Sequence, residues 1–448
     1  MTPSGRRVAP TPLLLLVLLL LVAACAWLAC GAGPEDAAPD PAEDLEAWDA
    51  LDRQDELGDG TGRYRIRRGA DSEIDREERE RLAAIGYLEG TKAAHAEAGV
   101  TRFDPARSAG GTNLYVSAHA PEAVLMDMEG RVLHRWRRPS ADIWPGRKQQ
   151  RMGARYFRRA YPLEDGGLLV IFEGLGIARL DRDSGVVWAV PPEGDDAPVG
   201  HHDLEMQPDG ELLVLTRKPR TVAWINPDEP ILDDFVTVYG PDGQTQLEIS
   251  LADAFEKSRY RDLVLRGKRK NGDIFHTNSI HRLDGSVAHV NQDFDPGNVL
   301  LSIRHLHLLA VLDPNKREIV WASAGPYRLQ HDAEVLKNGH VFLFDNGARN
   351  REDSRALELD PKTLEIRWQY RGSETDPLWS QTCGTVQRLP GGNTLVVESD
   401  NGRAIEVTPD GEIVWEWLSP HRAGDDDELV ATLMRVTRLV EKPAWLEH

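Results

Sequence analysis

Cysteine is scarce in this chain of 448 residues, which contains Cys25, Cys30 and Cys383 and no others. The first two lie in an apolar N-terminal segment. The rest of the chain therefore has one thiol and can form neither an internal disulfide nor a zinc site built on CxxC pairs. Positive charge is also in deficit, with 53 Lys and Arg against 73 Asp and Glu, for a net charge of −20. This balance argues against a partner that is a nucleic acid.

Charge is absent from an N-terminal apolar run of 18 residues, Leu13 to Cys30, which follows Arg6 and Arg7. A positive start before an apolar run is typical of a secretory signal. A Val-Ala-Ala triplet precedes Cys25 and resembles a bacterial lipobox, in which this cysteine is lipidated. Residues 1–30 are thus predicted to be a signal with a lipobox, with an uncleaved transmembrane anchor or plain cleavage as alternatives. We expect an exported protein, anchored through its N-terminus at the periplasmic face of a bacterial membrane.

Large apolar residues are few in the following segment, residues 31–71, which is predicted to be an acidic tether. Between Glu35 and Gly60 there are eleven acidic residues and a single arginine. Low hydrophobicity and self-repulsion favour a solvated spacer. A capping-box pattern at residues 72–75 then predicts a short amphipathic helix over 72–85, within a connector that spans 72–110.

One sequence pattern recurs from Thr112 onward. A short strand ends in Leu-x-x-Gly, an apolar run of four or five residues follows, and the later strands end in Asp and in Trp. The clearest copies end at Trp321, Trp368 and Trp415, which are 47 residues apart. Repeats of ~40–50 residues with four short strands each are typical of propeller blades. Five complete copies and one incomplete copy predict an all-β, six-bladed β-propeller over residues 111–448.

The first copy of the repeat is incomplete because it lacks its innermost strand, while the last strand of the chain has no partner of its own. We predict that residues 434–440 pair beside Asn113–Val116 and close the ring, which removes two exposed sheet edges. Two insertions interrupt the repeat, at 220–235 and 250–275. The second contains the basic stretch Lys257 to Lys270 and is predicted to form a helix or loop over one face.

Histidine occurs at the same repeat position in three successive blades. The first strand of each propeller blade lines the central channel, so equivalent positions face one another across the axis. His202, His276 and His331 are therefore predicted to converge at the channel mouth. The aligned residue of blade six, Cys383, is interpreted as a small buried wall residue, with a reactive thiol as the alternative.

A second repeat position lies seven residues after the turn glycine of each blade, counted from Gly167 in blade two. From blade two to blade six it is occupied by Gly174, Arg217, Arg304, Asn346 and Ser399. Two arginines beside a histidine cluster predict a pocket for a phosphate-like or sulfate-like anion, with Arg217 binding substrate. Asn278, close to one of the aligned histidines, adds a neutral donor to this pocket.

The sequence around these positions resembles the bacterial arylsulfotransferases, or aryl-sulfate sulfotransferases, over about residues 112–448. Matching stretches include Gln330-His331-Asp332 and His276-Thr277-Asn278-Ser279; the others are 112–116, 125–127, 202–203, 302–305, 344–347, 387–395 and 411–417. The resemblance implies a six-bladed propeller that moves a sulfuryl group from a small phenolic sulfate ester to a phenolic acceptor. It also implies that no nucleotide sulfate donor, cofactor or metal takes part.

Residue by residue, the resemblance makes His331 the nucleophile that is transiently sulfated. It implies that His276, Asn278 and Arg304 hold the sulfuryl oxygens, and that His202 is an acid–base or sulfate-binding group. Neutral imidazole is a competent nucleophile near pH 7 and forms a covalent intermediate. Because sulfuryl transfer has a loose transition state like that of phosphoryl transfer, positioning and cationic stabilisation matter most.

Two other classes of function remain open. A metal-dependent hydrolase would use the three aligned histidines as zinc ligands, with Asp203 or Asp332 joining them, although Arg304 would repel a dication. A non-catalytic, quinoprotein-like propeller scaffold is the other class. The family's N-terminal β-rich domain and its disulfide have no counterpart in this sequence, which leaves the oligomeric state open.

Overall fold

The computed structural model describes residues 64–66, 97–145, 155–190, 199–266, 272–289, 291–347, 353–423 and 429–447. The predicted signal segment with Cys25, most of the acidic tether and the helix predicted at 72–85 lie outside the described residues. Contacts divide the chain into two units, Met1–Asp44 and Leu45–His448, and all the elements below belong to the second. Within the described residues, no helix is long and apolar enough to cross a membrane.

Six antiparallel sheets of four or five strands form the blades of a six-bladed β-propeller, as the sequence predicts. Blade one contains β28 (Leu433–Leu439), β3 (Thr112–Ser117), β4 (Glu122–Met126) and β5 (Val132–Arg137). Blade two contains β6 (Arg159–Pro162), β7 (Leu168–Phe172), β8 (Gly176–Leu180) and β9 (Val186–Val190). Blade three contains β10 (Val199–Met206), β11 (Leu212–Val222), β12 (Asn226–Tyr239) and β13 (Thr245–Ser250).

The other three blades follow in chain order, each from the inner strand outward. Blade four contains β14 (Thr277–Arg282), β15 (Val299–Ile303), β16 (Leu308–Asp313) and β17 (Glu318–Ser323). Blade five contains β18 (His331–Val335), β19 (Val341–Asp345), β20 (Arg355–Leu359) and β21 (Ile366–Tyr370). Blade six contains β22 (Thr385–Arg388), β23 (Thr394–Glu398), β24 (Arg403–Val407), β25 (Ile413–Leu418) and, outermost, β2 (Gly99–Phe103).

The remaining elements are short. A three-stranded sheet contains β1 (Tyr64–Ile66), β27 (Leu429–Ala431) and β26 (Arg422–Ala423). Among the described residues, the helices are α1 (Ser140–Ile143), α2 (Leu251–Lys257), α3 (Arg261–Arg266) and two 3₁₀ helices, Ser399–Asn401 and Ala444–Glu447.

The ring is closed by the C-terminal strand, as predicted. β28 pairs antiparallel with β3, with Val436 opposite Tyr115 and Arg438 opposite Asn113. The first and last strands of the propeller therefore share one blade, in which β3 is paired on both sides and β28 has β3 as its partner. The closure also sets the register of Met434 and Arg435, which reach the axial cavity described below.

The apolar runs of the repeat form the second and third strands of each blade. β7, β19 and β23 are buried at all five positions, because neighbouring blades cover both of their faces. The fourth strands are more exposed, as the mixed pattern of β5 shows. One outer strand is not anticipated by the sequence: β2 lies within the predicted connector and pairs with β25. Its five residues are too few to show a clear alternation of apolar and polar side chains.

Both insertions belong to the neighbourhood of blade three. Residues 220–235 lengthen the β11–β12 hairpin. The second insertion forms α2 and α3, and Ser250 caps α2 by accepting a hydrogen bond from the backbone N–H of Asp253. Phe255 of α2 is buried and stacks on Phe275, with ring centroids 6.0 Å apart. After α3, the chain returns to the axis of the propeller immediately before β14, the inner strand of blade four.

Candidate active site

The inner strands bring the predicted histidines to the axis of the propeller. His202, His276 and His331 are 8%, 7% and 5% exposed. The rings of His202 and His276 lie edge to face, with centroids 4.9 Å apart. A small polar cavity is lined by His202, His331 and Asn278, together with Cys383 of blade six and Arg158 of blade two.

An unusual backbone conformation recurs where the inner strands reach the axis. His202, His276 and Cys383 have φ values of 52°, 49° and 54°, in the left-handed region that non-glycine residues rarely adopt. The pairing of the inner with the second strand shifts register beside His202, His276 and His331. Bulges of this kind redirect side chains and are common beside active sites. The bulged strand ends therefore aim polar side chains into the channel.

Asn346 determines which nitrogen of His331 carries the proton. The Asn346 side-chain amide donates both hydrogens, to the carbonyl oxygens of Ser380 at 2.9 Å and Cys383 at 2.7 Å. Its Oδ1 is therefore an acceptor, and Nδ1 of His331, at 2.7 Å, must donate to it. The lone pair of the neutral ring is then on Nε2, which has no hydrogen bond to any described residue.

The electrostatic surroundings keep His331 neutral. Burial, followed by the positive charge of Arg304, lowers the pKa of His331 well below its ordinary value of 6.5, and Arg158 adds to this shift. Arg304 is 4% exposed, and its Nη1 donates to Nε2 of His305 at 2.9 Å. The arrangement combines an unprotonated imidazole with two nearby guanidinium groups, as a nucleophile that attacks an anion requires.

Glu173 orients His202. Its Oε1 lies 2.8 Å from Nδ1 of His202 and 2.9 Å from Nδ1 of His201, and its Oε2 lies 3.3 Å from Nε of Arg158. Burial raises the pKa of Glu173, but His202 and His201 lower it by more, so the net pKa is well below its ordinary range. Burial lowers the pKa of His202, and this effect outweighs the opposite effect of the Glu173 carboxylate. The net pKa of His202 is therefore well below 6.5. His202 is therefore a neutral imidazole whose Nδ1–H donates to a carboxylate.

His276 has a carboxylate partner of its own. Nδ1 of His276 lies 2.6 Å from Oδ2 of Asp273, and Nη1 of Arg217 lies 3.6 Å from the same oxygen. Burial raises the pKa of Asp273, yet His276 and His305 lower it by more, and its pKa is well below the ordinary range. Arg217 thus contacts the carboxylate that orients His276, and its binding of substrate stays a prediction.

Asn278 lines the cavity and bridges two blades. Its Nδ2 donates to the backbone carbonyl of Gln330, at 2.8 Å, directly before His331. Its Oδ1 is buried without a hydrogen-bond partner among the described residues. Asn278 therefore fixes the spacing between the inner strands of blades four and five, and keeps one amide hydrogen that the Gln330 bond does not use.

Asp203 and Asp332 each follow an aligned histidine, and both connect neighbouring blades through hydrogen bonds. Asp203 accepts hydrogen bonds from Nε of Arg159 at 2.7 Å and from the backbone of Ile280 at 3.3 Å. Asp332 accepts from Nη1 of Arg435 at 2.6 Å and from the backbone of Val386 at 2.9 Å. Each carboxylate is thereby bound to an arginine and to the next blade. Neither is arranged as a metal ligand.

Glu173 and Arg158 are absent from the sequence-based site, although the repeat points to both. The turn glycine of blade two is Gly166, with φ of 84°, matching Gly210 at 85° and Gly339 at 84°. Counting seven residues from Gly166 gives Glu173; the count from Gly167 gives Gly174 and misses it by one residue. Arg158 occupies in blade two the inner-strand position that the aligned histidines occupy in their blades.

Cys383 is buried and reduced, and it lines the axial cavity, as predicted for a wall residue. Its Sγ lies 3.9 Å from Nη2 of Arg158. The zinc alternative uses His202, His276 and His331 as the three ligands, but the structure does not place these three side chains in one ligand set. Within the described residues, His331 belongs to no set of ligating side chains whose atoms lie within 4.8 Å of one another.

Comparisons with solved structures find chains that are similar at low sequence identity. Similar solved structures include a protein of unknown function from Bacteroides caccae, at 11% identity and a TM-score of 0.47, covering 73% of this chain and 98% of that one. A streptogramin B lyase matches at 12% identity and a TM-score of 0.41, covering 77% of this chain and 94% of that one. None of these TM-scores reaches 0.5, so these similarities carry no argument about function. No curated protein matches the chain significantly.

The family comparison is more specific, because the matched region contains both repeat positions of blades three to six. The arylsulfotransferase (ASST) family model matches residues 159–422, which include His202, His276, Asn278, Arg304 and His331. This is more than half of the chain, and the chain belongs to the arylsulfotransferase family.

Proposed function

We propose that the protein transfers a sulfuryl group from a phenolic sulfate ester to a phenolic acceptor through a sulfohistidine at His331. The observation that carries the proposal is the hydrogen bond from Nδ1 of His331 to Asn346, which leaves the Nε2 lone pair for the cavity. Membership of the arylsulfotransferase family supports aryl sulfotransferase activity in general. Family membership alone does not specify the covalent intermediate, which rests on this tautomer of His331.

In the first half-reaction, Nε2 of His331 forms a bond to sulfur while the bond between sulfur and the aryl oxygen breaks. The electron pair of that bond leaves with the phenolate. The sulfated ring keeps its hydrogen on Nδ1, so its positive charge balances the negative charge of the sulfuryl group. Oδ1 of Asn346 accepts that hydrogen and stabilises the positive ring, as a hydrogen bond to a charged group does.

The sulfuryl oxygens carry negative charge throughout the transfer and need donors or cations nearby. Arg304 is close enough to lower the pKa of His331 by its charge, and Asn278 lines the same cavity. Arg158 also lines the cavity and acts on His331 in the same direction. Fixed positive groups of this kind stabilise a loose transition state without reorganisation. His276 lies beside His202, and its Nδ1 contacts the carboxylate of Asp273.

In the second half-reaction, the acceptor oxygen bonds to sulfur, and the nitrogen–sulfur bond breaks with its electron pair returning to Nε2 of His331. The acceptor proton passes to Nε2 of His202, because Nδ1 of that ring is bound to Glu173. The negative carboxylate makes the resulting imidazolium more favourable. Because His202 is neutral at rest, the donor phenolate leaves as an anion and takes its proton from water. The imidazolium formed in the second half-reaction returns the acceptor proton to water, so no proton is lost or gained over the full cycle.

A chromogenic aryl sulfate tests the proposal directly. Donor alone should give one rapid equivalent of phenol, and an added phenol should give continuous turnover with ping-pong kinetics. Mass spectrometry after donor alone should find one sulfuryl group on the peptide that contains His331, and His331→Asn should abolish both signals. A labelled peptide elsewhere, or turnover by the His331→Asn protein, would show that the intermediate is assigned to the wrong residue.

We also propose that the protein acts outside the cytoplasm, tethered to a membrane. This rests on the N-terminal apolar run and on the lipobox-like triplet before Cys25. The donor and the acceptor would then both be small phenolic molecules that the protein meets in the periplasm.

A further inference from the structure

Three histidine rings cluster beside the axial cavity: His201, His202 and His276. One ring nitrogen from each lies within 4.8 Å of the other two. The ring centroids are 4.0 Å apart for His201 and His202, and 5.3 Å apart for His201 and His276. His201 is fully buried and has no part in the proposed transfer. The cluster thus contains one imidazole more than the reaction uses.

Carboxylates bind the same nitrogen of all three rings. Nδ1 of His201 and of His202 contact Glu173, and Nδ1 of His276 contacts Asp273. A carboxylate only accepts hydrogen bonds, so each Nδ1 carries a hydrogen and each neutral ring keeps its lone pair on Nε2. Histidines that bind metal ions are usually supported in this way, with the second nitrogen donating to a carboxylate.

One ring nitrogen of the cluster has no hydrogen bond to any described residue: Nε2 of His201, which is buried. A buried polar nitrogen without a partner is costly, and native structures rarely tolerate one without a reason. Three imidazoles clustered in this way, one of them with a buried nitrogen that has no partner among the described residues, favour a bound cation.

We propose that His201, His202 and His276 form a binding site for a divalent transition-metal ion such as Zn²⁺, with water as a fourth ligand. Zinc–nitrogen bonds of about 2.0–2.1 Å place tetrahedral ligand atoms roughly 3.4 Å apart. The ring nitrogens of the cluster lie within 4.8 Å of one another, so binding requires them to approach by up to roughly 1.4 Å. The carboxylates of Glu173 and Asp273, which also contact Arg158 and Arg217, offset part of the charge of the ion. This site excludes His331 and so differs from a catalytic zinc centre.

The metal site has a consequence for activity. An ion on His202 and His276 takes the lone pairs of two side chains that face the substrate. It therefore inhibits sulfuryl transfer by competing with the donor. The inhibition rests on the proposed function, whereas the binding of the ion does not.

Binding is tested without activity, on the whole chain stripped of metal by a chelator. Co²⁺ is the probe, because its visible spectrum reports tetrahedral nitrogen coordination. We expect one tight equivalent of Co²⁺ per chain, displaced by Zn²⁺, and a higher melting temperature with Zn²⁺. Since loss of a supporting partner alone costs 10–100-fold in metal affinity, His201→Ala should weaken binding by more than about 100-fold.

The matched control is His119→Ala. His119 belongs to a second cluster with Glu122 and His421, in which both nitrogens of His119 already have partners. This control should keep the Co²⁺ spectrum and the Zn²⁺-dependent rise in melting temperature, while His201→Ala and His276→Ala lose both. Co²⁺ binding that survives in both His201→Ala and His276→Ala, or no tight equivalent in the natural protein, would overturn the site.

A parallel assay of aryl sulfate turnover separates this proposal from the proposed function. Zn²⁺ should inhibit competitively against the donor, and a chelator should restore the rate. If Co²⁺ binds at these histidines and no aryl sulfate is consumed, the metal site stands and the proposed function fails. If turnover is normal and neither ion binds, the metal site fails alone.

Discussion

Asn346→Ala tests the central part of the proposed chemistry, the tautomer of His331. The substitution removes the acceptor that holds Nδ1–H at 2.7 Å. It also leaves the carbonyl oxygens of Ser380 and Cys383 without the two hydrogens that Asn346 donates to them. The ring can then turn or exchange its proton between nitrogens. The fraction with the lone pair on Nε2 falls, and the sulfated, positively charged ring loses its hydrogen-bond partner.

The expected loss can be worked out from the contacts. A hydrogen bond to a charged group contributes about 1.5–3 kcal/mol. Each factor of ten in rate corresponds to about 1.4 kcal/mol, so the first half-reaction should slow by roughly 10–150-fold. Because the positive ring exists only after attack begins, the effect should fall on kcat more than on KM. The loss of these two hydrogen bonds also costs stability, about 0.5–1.5 kcal/mol each, although the Ser380 carbonyl keeps a hydrogen bond from Oγ of Ser354.

The assay is the rate of the phenol burst with donor alone, measured below the melting temperature of the variant. Ser399→Ala is the matched control, since Ser399 occupies the same repeat position in blade six and accepts a hydrogen bond from the backbone of Gly384 at 2.8 Å. It should lose stability and keep its burst rate. An Asn346→Ala burst as fast as that of the natural protein would refute the assignment of Nε2 as the nucleophile.

Four further predictions concern the candidate site, the buried histidines and the N-terminal segment. Glu173→Gln should slow turnover at least ~10-fold and make it more sensitive to the pKa of the acceptor phenol, because His202 loses the carboxylate that favours its protonation; an unchanged sensitivity would contradict this role. The pKa of His331 lies well below 6.5, so donor-only bursts should persist below pH 6.5, and a burst that falls off near pH 6.5 would oppose it. The buried environments of His201 and His421 lower their pKa values to about 3 and about 4, so the unfolded chain binds more protons below pH 6.5. Stability measured by urea unfolding should therefore decrease from pH 6.5 to pH 4, by up to about 1.4 kcal/mol per pH unit for each such histidine. A flat profile would contradict the burial of these rings as neutral groups. Cys25→Ser should release the protein from membranes or block its processing, and fatty-acid labelling of the variant would exclude lipidation at that residue.

The sequence predicts the fold and its closure well, because a propeller is a repeat and the missing strand of one copy is visible at the other end of the chain. The pairing of Val436 with Tyr115 follows from that count. The inner-strand histidines are found for the same reason. Glu173 is missed because Gly166 and Gly167 are adjacent, and only the backbone shows that Gly166 makes the turn.

The roles of the supporting residues depend on contacts that the sequence does not contain. Asn346 stands at an identified repeat position, but only the two carbonyl acceptors beside it show that its oxygen faces His331. Asp273 lies in an insertion, outside the repeat count, and contacts His276 because the chain returns from α3 to the axis. β2 joins blade six from a segment that has no repeat pattern.

The same repeat position gives two histidines two different partners, and the difference suits their two tasks. Glu173 is a carboxylate and favours a protonated His202, as the base that receives the acceptor proton requires. Asn346 is a neutral amide and orients His331 without stabilising its positive form as strongly. A carboxylate at the position of Asn346 would stabilise the sulfohistidine intermediate more strongly, since the sulfated ring is an imidazolium. A more stable intermediate has a higher barrier to the second transfer. The neutral partner therefore keeps the sulfuryl group reactive enough to be passed to the acceptor.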